Sequence, residues 1–172
     1  MIFGDMAIFS IFFVAYVFNR RANLPLFESS QVLLNQALGL VNTFFMLSSS
    51  WFVAIGVQAA RDHNARRVSR YFSLAFLCGL GFVIAKILEY TEKIQAGFVI
   101  NSNDFFMYYY MLTGIHFMHV LLGMTMLAFF VRYSPQGSFD AVKVRNFESG
   151  ASFWHVVDLL WVVLFALLYL LK

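Results

Sequence analysis

The chain has 172 residues, 61% of them hydrophobic and only 12% charged, with a mean hydropathy of +0.74. A soluble domain carries roughly 45–50% apolar and 25% charged residues, so the composition excludes an ordinary soluble globule and points to an integral membrane protein. The formal net charge of +3 is scattered over the loops, which leaves no basic patch for nucleic acid, and the single cysteine, Cys78, rules out an internal disulfide.

Five apolar segments follow one another. They predict an all-α integral membrane protein, a five-transmembrane-helix bundle with helices at about 1–19, 33–59, 68–91, 105–132 and 150–171. About 20 apolar residues cross a hydrocarbon core of ~30 Å. In lipid every backbone polar group needs an internal partner, and these continuous runs lack the alternation of a barrel strand. The first segment, MIFGDMAIFSIFFVAYVF, has neither the basic start nor the small-residue cleavage site of a secretory signal, so it reads as a span closed by Asn19-Arg20-Arg21. Leu24-Pro25 breaks the first connection, and Ser134-Pro135-Gln136-Gly137 lies in the last. No linker separates domains, so residues 1–172 read as a single membrane domain.

Loop charge predicts the orientation. Arg61, Arg66, Arg67 and Arg70 lie in one connection, and Arg132, Lys143 and Arg145 lie in another on the same side, giving seven. The opposite side has Arg20, Arg21, Lys93 and Lys172, giving four. The excess places the N-terminus in the cytoplasm and the C-terminus in the periplasm of a bacterial inner membrane.

Ionisable residues inside such segments are costly and need a reason. Asp5 lies one turn into the first helix. It either caps the positive end of the helix dipole or collects protons at the cytoplasmic face. Asn42, Thr43, Ser48, Ser49 and Ser50 suit close packing and interhelical hydrogen bonds. Lys86 and Glu89, at i and i+3, share a face and form either a structural ion pair or part of a relay.

His116 and His119 share a face of the fourth helix, flanked by Gly114 and Gly123. Bound haem would need opposed histidines at one depth. His155 near the front of the fifth helix is expected roughly 10 Å away at 1.5 Å per residue, so packing is the favoured reading and no metal or cofactor is assigned to this chain. In the fifth helix Trp154, Asp158 and Trp161 share a face, and His155 is the nearest partner for Asp158. Glu89, His116, His119, Glu148, Trp154, His155 and Asp158 are therefore expected to form a buried polar network linking the last three helices. A small proton-coupled transporter and a membrane b-type cytochrome are the rival readings. The first is weakened by the lack of internal symmetry and of a broken helix at the midplane.

The pattern Glu148-x-Gly150-Ala151-x-x-Trp154-His155-x-Val157-Asp158-x-x-Trp161 resembles the last helix of subunit III of the haem-copper oxidases. Thr113-Gly114-x-His116-x-x-His119-Val120-x-x-Gly123 resembles its penultimate helix. Leu88-Glu89-Tyr90, Leu40-x-Asn42-Thr43 and Gly4-Asp5-x-x-x-Phe9 resemble three further family patterns, in the same order. The resemblance implies the fold of the cytochrome c oxidase subunit III type, in a short form that lacks the first two of seven helices. Without them the chain cannot by itself build the lipid-filled cleft of the long form.

It also implies an accessory subunit without catalytic residues that packs on catalytic subunit I of a cytochrome c or quinol oxidase, or of a nitric oxide reductase. Haem and copper or iron belong to that partner. The implied tasks are proton uptake, with Asp5 as the antenna carboxylate, phospholipid retention and stability of the complex. Gly137–Arg145 is expected as a loop at the same surface as Asp5. The short form is also similar to the accessory protein of nitric oxide reductase.

Overall fold

The computed structural model describes residues 2–134 and 140–171, with the side chains of residues 2 and 3 left aside. Its helices are α1 (Ile2–Ala22), α2 (Leu24–Gln31), α3 (Gln36–Arg61), α4 (Ala65–Gln95), α5 (Asp104–Tyr133) and α6 (Ala141–Phe165), and α6 continues into a π-helical turn over Ala166–Leu170. Four helical stretches, α3, α4, α5 and α6 with its π turn, are long and apolar enough to cross a membrane among the described residues. At 26 to 31 residues each they exceed the span of the hydrocarbon core, so they tilt or project into the interface.

These four helices form an antiparallel ring in which α3 packs on α4 and α6, and α5 packs on the same two. α1 lies outside the ring against α5 and α6. Each ring helix begins at an Asn or Asp whose side chain accepts a backbone N–H three residues on: Asn35 from Leu38, Asn64 from Arg67, Asn103 from Phe106 and Asp140 from Lys143. Such caps satisfy donors that a helix start leaves open. The α3–α4 and α4–α5 turns close with left-handed residues, His63 (φ 55°) and Gly97 (φ 84°). There Asn64 N–H donates to the Ala59 carbonyl and Phe98 N–H to the Lys93 carbonyl, the pairing that ends a helix when one residue turns left-handed.

The structure corrects three boundaries. Leu24-Pro25 does break the first helix, but it also starts α2, because Pro near a helix N-terminus removes an N–H that has no partner there and presets φ. The last helix starts at Ala141 rather than about 150, since Lys143, Arg145 and Glu148 lower hydropathy without breaking the helix. Residues 141–145 of the expected Gly137–Arg145 loop are thus helical, and 137–139, with Pro135 and Gln136, lie outside the described residues.

Helices approach closely at Gly79, Gly123 and Gly150; Met124 also packs on Gly79, Phe130 and Met126 pack on Gly150, and Trp154 is fully buried. Its indole fills a slot between Gly79 of α4 and Gly123 of α5. A Cβ on Gly123 would lie 2.6 Å from Trp154 Cζ3, and one on Gly79 would lie 3.3 Å from Cη2. Gly114 has open space instead, so of the two expected packing glycines only Gly123 admits a neighbouring helix.

Candidate functional site

The polar interior is centred on Lys86 and Glu89, one turn apart on α4 and both fully buried (0% exposed). Lys86 Nζ donates to Glu89 Oε2 at 2.9 Å and to the hydroxyls of Tyr109 and Tyr169 at 3.2 Å each, which uses its three protons. Tyr169 in turn donates to Glu89 Oε1. The ammonium lies 4.9 to 5.8 Å from the ring centroids of Tyr90, Tyr109, Trp161 and Tyr169, within cation–π range. The α-to-π transition at Ala166 belongs to this site, because the widened turn carries Tyr169. That turn is gripped from outside as well. Tyr16 and Arg20 of α1 donate to the Leu167 and Leu171 carbonyls at 3.3 and 3.0 Å, and Gln36 of α3 donates to the Tyr169 carbonyl at 2.9 Å.

The other predicted polar residues occupy separate seams rather than one network. His116 Nε2–H donates to the Val157 carbonyl at 3.0 Å, between the rings of Phe82 and Trp161. His119 Nδ1–H donates to the Ile115 carbonyl of its own helix, and its Nε2 faces Asp5 Oδ1 at 3.5 Å. This partly exposed pair joins α5 to α1, with Phe9 edge-on and Phe153 stacked against the imidazole. His155 Nδ1 shares a hydrogen bond with Ser50 Oγ of α3 at 2.6 Å, and Ser50 and His155 both lie beside the Asp158 carboxyl. Asp158 is buried, and its Oδ1 has no hydrogen-bond partner among the described residues. Trp154 is buried, and among the described residues its Nε1–H has no partner. Glu148 is not buried. It pairs with Arg61 at 2.8 Å across the end of α3 and α6, with 38% of its side chain exposed.

The expected depth offset of the histidines also needs correction. Because α6 begins at Ala141, His155 is about four turns into the helix rather than near its start. His119 stacks on Phe153, and His116 meets Val157, so all three histidines occupy a similar level. Their engaged nitrogens nevertheless turn to different elements: α6 for His116, α5 and α1 for His119, and α3 for His155. Among the described residues no three His, Cys, Asp or Glu side chains converge as a metal-ligand set.

Sequence reasoning missed Tyr109, Tyr169 and the α1 residues Tyr16 and Arg20. The run Tyr108-Tyr109-Tyr110, opposite Lys86 in an antiparallel hairpin, was the available sign that phenols lie at that depth.

The profile of the family described as cytochrome c oxidase subunit III matches residues 2–172. The chain belongs to the cytochrome c oxidase subunit III family. Among the relatives of this family chain, a cytochrome c oxidase subunit 3 from Synechocystis is 29% identical over 169 residues, 98% of this chain and 71% of that protein. One from Corynebacterium diphtheriae is 30% identical over 139 residues, 81% and 68% of the two chains. One from Thermostichus vulcanus is 28% identical over 132 residues, 76% of this chain but only 64% of the relative's length.

Proposed function

We propose that the chain is a non-catalytic accessory subunit of a respiratory haem-copper oxidase or nitric oxide reductase. It packs on the catalytic subunit, which holds the haem and the copper or iron, and supports proton uptake, phospholipid retention and stability of the complex. The observation that carries this reading is the subunit III match along residues 2–172. The interior is consistent with it. Lys86, Glu89, His116 and His155 are committed to contacts within the helix ring or its terminal turn, as in a scaffold, and the caged pair has no exposed surface.

In this reading α1 is the fifth span. Its 21 residues measure about 31 Å at 1.5 Å per residue, and Ile11, Val14 and Phe18 face outward as for lipid or a partner helix. The N-terminus is cytoplasmic and the C-terminus periplasmic, from the loop charges. Asp5 is the proton-collecting carboxylate. Its contact with His119, midway along α5, is partly exposed on both partners.

The test is purification of the tagged chain from native membranes in mild detergent, with mass spectrometry and an optical spectrum of the product. A co-purifying haem-bearing catalytic subunit is the expected result, and its identity separates oxygen from nitric oxide as acceptor. A chain that purifies alone, and either transports protons in vesicles or shows a Soret band abolished by His119→Ala, overturns the reading.

A further inference from the structure

The end of α6 changes register. Leu171 N–H donates to the Ala166 carbonyl, five residues back, at 2.9 Å. In an α-helix the same N–H would go to the Leu167 carbonyl. That bypassed carbonyl is the one α1 takes, with the Tyr16 hydroxyl donating to it at 3.3 Å. Two more carbonyls are met from outside the helix. Gln36 of α3 donates to Tyr169 at 2.9 Å, and Arg20 of α1 donates to Leu171 at 3.0 Å. The Arg20 guanidinium also brings positive charge to the negative end of the helix. Carbonyls at a helix end need partners, and away from water an unmet one is costly. A π turn is a rare form that recurs at functional sites, and this one draws two of its three outside donors from α1.

The register decides where Tyr169 lies. In the π turn its ring rests on Gly39 of α3, where a Cβ would lie 3.0 Å from Cδ1 and Cε1. Its hydroxyl donates to Glu89 and accepts from Lys86. An α register over the same residues carries Tyr169 round the helix axis by up to one residue step, about 100°. The hydroxyl then leaves the cage, Lys86 loses an acceptor and Glu89 loses a donor. α1 is placed to control this choice. It lies outside the ring and turns Ile11, Val14 and Phe18 outward, so it can move while α3–α6 stay packed.

We propose that Ala166–Leu170 is a docking-dependent latch with two registers. Seated α1 holds the π register and keeps Tyr169 in the Lys86–Glu89 cage. Release of α1 lets the turn adopt the α register and withdraws the Tyr169 hydroxyl. Events on the outer face of α1 thereby reach the buried ion pair through the end of α6. These contacts all lie within this chain, so the latch stands or falls apart from the accessory role.

The experiment is NMR of the full chain, in micelles or in whatever complex purifies, with tyrosine isotope-labelled at Cζ and Tyr169→Phe assigning the caged phenol. Tyr16→Phe, which removes one donor, should raise the population of a second, uncaged Tyr169 resonance about fivefold, and adding Arg20→Gln should raise it about fivefold again. Ser49→Ala removes the Ser49–Ala75 bond between α3 and α4, far from the latch, and should leave Tyr169 caged. Cysteine labelling reads the register in a Cys78→Ala background. Leu168 is buried and Leu170 is more than half exposed, so Leu168→Cys should gain reactivity and Leu170→Cys lose it when Tyr16→Phe is added. A Tyr169 resonance unmoved by Tyr16→Phe with Arg20→Gln overturns the proposal, and Tyr16→Phe alone decides if the double variant does not fold. An equal response to Ser49→Ala, or a gain of reactivity at both cysteines, which marks fraying of the helix end, overturns it as well.

Discussion

Replacing Glu89 by Leu should be among the most damaging single changes in the ring. Two unit charges 2.9 Å apart attract by about 6 kcal/mol at an effective dielectric constant of about 20. Desolvation of two fully buried ions offsets much of that, so the pair as a whole contributes little net stability. The asymmetry lies in breaking it. Glu89→Leu leaves the Lys86 ammonium buried with only two phenol oxygens, and Lys86→Met leaves the carboxylate with only the Tyr169 hydroxyl. Each single variant should cost about 3–5 kcal/mol. The double variant removes both charges and should be less destabilised than the sum of the singles by about 3 kcal/mol. Tyr169→Phe, which deletes one hydroxyl, should cost about 1–2 kcal/mol. The assay is reversible unfolding in mixed micelles by titration with dodecyl sulfate, followed by circular dichroism. Single variants that add to within about 0.5 kcal/mol would refute the reasoning, because independent sites add and a closed ion pair cannot.

Gly123→Ala should lower stability by about 1–3 kcal/mol in the same assay, since the new methyl group meets the Trp154 ring; Gly114→Ala, with open space around its Cβ, should be neutral or stabilising by about 0.5–1 kcal/mol. Thr43→Val removes the acceptor of the Trp161 Nε1–H at 3.1 Å and should cost about 1–3 kcal/mol, with a change in Trp161 fluorescence. Asp5→Asn should change stability by no more than about 1 kcal/mol because the His119 pair is partly exposed. Its effect should show instead as slower turnover of the whole complex, measured with a saturating electron donor.

The long helices were legible in the sequence because lipid leaves a chain few alternatives, and a run of apolar residues bounded by Asn or Arg is then nearly sufficient. Polar helical turns were not legible by the same measure. α2 and the first two turns of α6 carry Glu28, Lys143, Arg145 and Glu148, so hydropathy drops there although the backbone stays helical. The Lys86–Glu89 pair followed from i, i+3 spacing on one helix. Its phenolic lining did not, since Tyr109 and Tyr169 arrive from 23 and 83 residues away in sequence. His155 illustrates the same limit. Spacing within α6 put His155 beside Asp158, but not Ser50, 105 residues distant, which takes the ring nitrogen.

Between helices in lipid there is little hydrophobic drive, so van der Waals packing and hydrogen bonds set which helices meet and at what register. The polar residues here are distributed accordingly. Ser49 donates to Ala75 between α3 and α4, Tyr90 meets Thr113 between α4 and α5, His116 meets Val157 between α5 and α6, and Thr43 and Ser50 meet Trp161 and His155 between α3 and α6. Every seam of the ring thus has at least one directional contact, and a slip of one residue would break it. α1 is fixed by the same means from outside. Asp5, Tyr16, Asn19 and Arg20 reach His119, Leu167, Tyr108 and Leu171, while Ile11, Val14 and Phe18 point away. Two of those four ties end on the backbone of the π-helical turn that presents Tyr169 to the caged pair, or on its C-cap residue Leu171. Docking of α1 and closure of the Lys86 cage are therefore coupled through one turn of chain, and a change at Arg20 should be felt at Glu89 without touching it.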